Sequence, residues 1–180
     1  SISKLGVEVV KVSDRASLES LYERVQQIAK VLSAEDKGDV LIEQIRARVA
    51  RAQALPGKNL KTALIVNRTG TIQAAGSHTA ASVLISLAGL TNVLESAQKG
   101  YKPISAESLV NFGPELIIVT KGSVQASGGL AKFLKHPAIA ITPAAINKRV
   151  VVMDDLLALG LGPRVAQAIE QLKLASNAAQ

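Results

Sequence analysis

From residue 61 onward, short apolar and β-branched runs alternate with stretches whose apolar positions recur at helical spacing. That rhythm predicts a mainly parallel sheet with crossover helices. Residues 62–66 are the first strand candidate, and residues 116–119, 138–141 and 150–153 are the others. Ala80, Leu84, Leu87 and Ala88 predict a helix stopped by Gly89, with Ser77 or Thr79 as its N-cap. Residues 70–76 read as a small-residue turn, residues 95–103 as a polar loop and residues 121–129 as a further loop. Residues 105–110 form a short capped helix ended by Gly113-Pro114, residues 130–134 form another, and Gly162-Pro163 starts the last helix with Pro at its first position.

The first sixty residues have a different pattern. Leu18, Leu21, Tyr22, Val25, Ile28, Ala29 and Leu32 mark one face of a helix. Residues 33–38 break it, and a second helix over residues 39–55 carries Leu41, Ile42, Ile45, Val49 and Ala52 until Pro56-Gly57. At 1.5 Å per residue that second helix is a rod of roughly 25 Å. Residues 7–12 read as a strand with nothing nearby to pair with, like the end of a unit that is otherwise absent. The chain therefore divides into residues 1–16, a helical connector over 17–57, an α/β lobe over 58–175 and a frayed tail from residue 176.

Composition narrows the classes. With 48% hydrophobic residues over 180 positions the chain folds rather than remaining disordered. No apolar run approaches the ~20 residues that span a bilayer, and no leading apolar segment reads as a signal peptide. The absence of cysteine excludes disulfides and thiol chemistry and fits an oxidising compartment. A net charge of +7 raises nucleic acid as a partner. Tyr22, Tyr101, Phe112 and Phe133 are too few aromatics for a base-stacking platform, and apart from Arg46, Arg48 and Arg51 the cations are scattered. No nucleic-acid partner is expected.

The candidate chemistry is sparse. There is no Gly-x-Ser-x-Gly elbow, and residues 70–76 lack both the GxGxxG spacing and a following Lys-Ser/Thr. His78 and His136 fall in different elements and Asp154-Asp155 closes a strand, too thin a set for a protein-held zinc. His136 reads as a turn residue. His78 follows a strand at the mouth of a helix, the end of an open α/β sheet at which ligands bind, so its imidazole can serve as a base, a metal ligand, a cap or a cleft wall. Arg68, just past the first strand, is placed at the same end, to meet a carboxylate or to stand in solvent.

A family resemblance emerges from the stretches Ala75-Gly76-Ser77-His78-Thr79-Ala80-Ala81, Leu87-Ala88-Gly89-Leu90-Thr91-Asn92 and Gly100 to Leu109. Gly113-Pro114-Glu115-Leu116-Ile117-Ile118-Val119, Lys148 to Met153 and Gly162-Pro163-Arg164 extend it. Together they resemble the C-terminal part of a periplasmic haem-binding protein of a bacterial haem-uptake ABC transporter, within the metal-siderophore and cobalamin binding family. The resemblance implies two α/β lobes joined by a long helix, here residues 39–55, with most of the N-terminal lobe and a leader outside this chain. It implies a non-enzymatic binder of haem that docks on an inner-membrane permease. His78 would be an axial ligand to haem iron, with Ser77 beside it in the Gly-Ser-His-Thr turn and Arg68 reaching a propionate. A tyrosine ligand would come from the other lobe, and Glu107 would dock into arginine pockets of the permease. A siderophore or cobalamin binder is the alternative within the family; a small α/β enzyme or nucleotide-binding domain is the alternative of another class. The apolar face left by a missing lobe implies self-association.

Overall fold

The computed structural model describes residues 9–67 and 70–178. Two helices come first, α1 (Leu18–Val31) and α2 (Glu35–Ala54), then β1 (Lys61–Asn67), β2 (Ile72–Ala75), α3 (Ala80–Leu87), β3 (Thr91–Asn92) and β4 (Tyr101–Pro103). The chain continues through α4 (Ala106–Phe112), β5 (Leu116–Thr120), α5 (Lys121–Ala126), α6 (Leu130–Leu134), α7 (Pro137–Ala140) and α8 (Pro143–Ile146). It ends with β6 (Val150–Met153), α9 (Asp155–Leu159) and α10 (Val165–Asn177). The sheet runs β4-β2-β1-β5-β6, with β3 pairing β1 off that path. Strands β3, β5 and β6 lie parallel in the β1 register, whereas β2 is antiparallel to both β1 and β4. The sheet is thus mixed.

Its centre is buried on both faces, which is why β1 and β5 read as unbroken apolar runs. Leu64, Val66, Leu116 and Ile118 point to one face, against α2, α3, α9 and α10; Ala63, Ile65, Ile117 and Val119 point to the other, against α4 and α6 to α8. Each fully buried Leu or Ile contributes about 1.5–3 kcal/mol relative to exposure. Tyr22 and Arg46 bring α1 and α2 together, the guanidinium lying 4.9 Å from the ring centroid. Burial pushes the Tyr22 phenol up and Arg46 pulls it back.

Several elements differ from the sequence expectation. Residues 138–141 are not a strand: Pro137 starts α7, and His136 Nδ1 caps it by accepting from the Ala138 N–H at 3.2 Å. Residues 121–126 form a helix because Thr120 caps them, accepting from the Ser123 N–H at 3.2 Å. Both β2, in the expected turn, and β4, in the expected loop, are strands. The long helix begins at Glu35, earlier than residue 39. Pro163 precedes the last helix, whose N-cap is Arg164. Val9 to Val12 form no strand and Val9 is 62% exposed; Val7 and Glu8 lie outside the described residues. The expected frayed tail is helical as far as Asn177, with Ser176 buried and Asn177 Nδ2 donating to the Pro56 carbonyl at 2.6 Å.

Candidate functional site

Parallel strands leave their carboxyl ends on one edge, and in open α/β sheets ligands bind outside that edge. Here it is formed by the ends of β1, β5 and β6 and by the β1–β2 connection. Because β4 is antiparallel to β2, it runs with β1 and ends on the same edge, where the Ile104 N–H donates to the Ile72 carbonyl at 3.1 Å.

A polar network holds this rim. The Asn67 N–H donates to Ser123 Oγ at 2.9 Å, and Asn67 Nδ2 donates to Ser127 Oγ at 2.8 Å. Asn67 Oδ1 accepts from the Gly70 N–H at 3.0 Å, so one buried side chain ties the β1–β2 connection to α5. Thr120 Oγ1 and Ser123 Oγ share a bond of 2.8 Å, and both side chains are buried. Asp155 Oδ2 accepts from the Gly122 N–H at 2.8 Å, joining the first turns of α5 and α9. A Cβ at Gly122 would lie 2.8 Å from Asp155 Oδ1, so glycine permits that approach. Asp154 caps α9 through the Leu157 N–H at 3.2 Å and faces Arg164 at 3.6 Å. The rim is a preorganised polar frame. Among the described residues no group of three or more His, Asp or Glu is placed to hold a metal ion.

The sequence-predicted residues do not converge on this edge. Glu107 does reach it: it is exposed in the first turn of α4, which Ser105 caps by accepting from the Ser108 N–H at 3.1 Å. Arg68 follows Asn67 and lies outside the described residues. His78 and Ser77 lie away from this edge, and the expected shared placement of His78 with Arg68 falls outside the described residues. Strand β2 carries the chain back: its antiparallel pairing with β4 runs from Gln73 opposite Pro103 to Ala75 opposite Tyr101, and Ser77 then meets Lys99 in an isolated parallel bridge. The three residue steps of β2, at about 3.3 Å each, carry the chain roughly 10 Å back from the rim before it reaches Ser77.

There Ser77 is spent on structure, its N–H donating to the Gln98 carbonyl at 2.9 Å and its Oγ to the same oxygen at 3.2 Å. Thr79, not Ser77, caps α3, accepting from the Ser82 N–H at 3.1 Å. His78 between them is exposed with φ at 59°, a left-handed turn conformation that histidine tolerates better than most residues. Its ring borders an open depression of about 620 Å³ on the flank, shared with Ala16, Ser82, Asn92 and Glu95. In that depression Asn92 Nδ2 donates to the Ala75 carbonyl and to Ser82 Oγ, and Ser82 Oγ donates to Glu95. The polar groups on this flank largely satisfy one another.

Sequence reasoning missed Asn67, Gly122, Ser123, Ser127 and Asp155. The one local signal was Thr120-x-x-Ser123 directly after a strand, a capping spacing.

The profile of the family described as periplasmic binding protein matches residues 2–157. Among curated proteins, the uncharacterized ABC transporter substrate-binding lipoprotein YvrC of Bacillus subtilis (strain 168) is 24% identical over 172 residues. The match covers 93% of this chain and 53% of that protein, so the chain spans about half the length of this relative. Among solved structures, the periplasmic haem-binding protein RhuT from Roseiflexus sp. RS-1 in apo form superposes with a TM-score of 0.91 at 31% identity, covering 97% of this chain and 68% of that one. The haem-binding protein HutB of Vibrio cholerae gives 0.87 at 27% identity, covering 98% and 70%. BhuT in complex with two haems gives 0.87 at 29% identity, covering 97% and 69%. The mixed sheet flanked by helices matches the C-terminal lobe of such structures.

Proposed function

Because the chain belongs to the periplasmic binding protein family, we propose that it forms the C-terminal lobe of a protein that binds haem between two lobes. In this reading the protein works in the periplasm and hands haem to an inner-membrane ABC permease. The likeness of nearly the whole chain to three haem-binding proteins carries it. The rim is compatible with the same reading: its hydrogen-bonded polar edge faces the side on which ligands bind in open α/β sheets. It also supports a binder over a catalyst, because the Ser123 and Ser127 hydroxyls are engaged within the rim network and neither is hydrogen-bonded to a histidine.

Haem would lie against the carboxyl edge, with its axial ligand supplied by the opposing lobe. Arg68, in the β1–β2 connection, would pair with a propionate. Glu107, exposed beside the same edge, would face the permease as the lobes dock. His78 and Ser77, on the flank, take no part in this arrangement, and the iron-ligand role expected of His78 is tested by substitution. The decisive experiment titrates the two-lobed protein with ferric haem. A Soret band that saturates supports the reading; saturable binding of cobalamin or a ferric siderophore, with none of haem, overturns it.

A further inference from the structure

The first turns of α5 and α9 meet at the Gly122 N–H to Asp155 bond, and one exposed side chain stands on either side of it. Lys121 precedes Gly122 and is exposed, and it makes no salt bridge to a described residue. Leu156 follows Asp155 and is 74% exposed, although its neighbours Leu157 and Ala158 are buried in the core. The core therefore does not use Leu156. Leu156 lies in the first turn of α9 just after β6, and Lys121 opens α5 just after the neighbouring strand β5, whose last residue Thr120 pairs with Met153. An exposed leucine and an ammonium that makes no salt bridge to a described residue, at the ends of two paired strands, suit a ligand that is flat and apolar in its body and anionic at its border. The Asp155–Gly122 bond fixes their spacing, and the absence of a Cβ at Gly122 is what allows it.

Resting on the haem reading above, we propose that Lys121 and Leu156 are the specificity-determining contacts of this lobe. Leu156 packs on the porphyrin face, and the Lys121 ammonium pairs with a propionate. A hydrophilic chelate gains nothing from Leu156, and an uncharged macrocycle gains nothing from Lys121. The pair thus selects for haem by its two chemical features at once.

The test uses the two-lobed protein, its Lys121→Ala and Leu156→Ala variants, and two probes: ferric haem and its dimethyl ester, which lacks the propionate charges. Lys121→Ala is expected to weaken haem binding about fivefold, the scale of a partly exposed ion pair, and to leave the dimethyl ester unaffected. Leu156→Ala is expected to weaken both probes by about tenfold through lost apolar contact. Both positions are exposed, so unchanged thermal midpoints accompany these effects. Wild-type protein that binds neither probe overturns the haem reading itself. Wild-type protein that binds haem, with variants that match it or with a Lys121→Ala loss equal for both probes, overturns this inference alone.

Discussion

The placement of His78 is open to a direct test by His78→Asn in the two-lobed protein. Asparagine accepts the 59° φ of this turn, so the backbone is not asked to change, but it offers iron no imidazole. The expected magnitude follows from the register. Strand β2 runs antiparallel to β1 from Ile72 at the rim to Ala75, and its three steps move the chain roughly 10 Å away before His78. A haem seated on the carboxyl edge is then out of reach of the ring. His78→Asn should leave the Soret position where it is and the haem dissociation constant within about twofold, since an exposed substitution off the site shifts free energy by about 0.5 kcal/mol or less. The assay is a haem titration followed by absorbance, with ligation read from the charge-transfer and Soret bands. A moved Soret band, or binding weakened by tenfold or more (about 1.4 kcal/mol), would refute the rim placement. It would put haem on the flank, in the depression that His78 borders with Glu95. Arg68→Ala is the counterpart: it should weaken haem binding several-fold and spare the dimethyl ester.

Other expectations follow from the same geometry. A Cβ at Gly76 would sit 2.1 Å from the Gln98 carbonyl oxygen, a backbone atom that cannot swing aside; Gly76→Ala should cost at least about 2 kcal/mol, seen as a lowered thermal midpoint. An unchanged midpoint would mean that the Ser77–Lys99 bridge is not formed. The Arg15 hydrogen bond and charge hold the exposed Glu23 carboxyl below its ordinary 4.5. Its contribution is therefore present above that pH and lost as pH falls through the lower folded value. Arg15→Ala should reduce this acid-side dependence, lowering the thermal midpoint above the ordinary carboxylate range and leaving it unchanged at strongly acid pH where Glu23 is protonated in both proteins, as circular dichroism melts across that pH range would record. The α1–α2 turn exposes Ile28, Val31, Leu32, Val40 and Leu41, with Leu32 at 68%. The 180-residue chain by itself should self-associate through this apolar patch, and Leu32→Glu should reduce the association; a clean monomer in sedimentation would count against it.

What the sequence made legible is what burial makes uniform. Strands β1, β5 and β6 are apolar runs because the sheet is covered on both faces, and α1 and α2 show their period because one face of each is buried. The errors came where local pattern is ambiguous. Pro137-Ala-Ile-Ala is as apolar as a short strand, and only the proline at its start and the His136 cap make it a helix. Strand β2 is four residues ending in two alanines, and its partner β4 is exposed throughout, so neither alternates in polarity. That one omission had a consequence for function. With β2 read as a turn, the chain passes from the end of β1 straight into α3, and His78 falls at the carboxyl edge. An antiparallel strand inserted there carries the same residue back along the sheet to the flank. The rim itself was hidden for a different reason. Its bonds join Asn67 to Ser123 and Gly122 to Asp155, fifty-six and thirty-three residues apart, so no local spacing announces them. The Thr120 cap is the exception. A threonine that ends a buried strand and caps the next helix marks a carboxyl edge by local chemistry alone, and it points to the same edge as Asn67, not to the Gly-Ser-His-Thr turn.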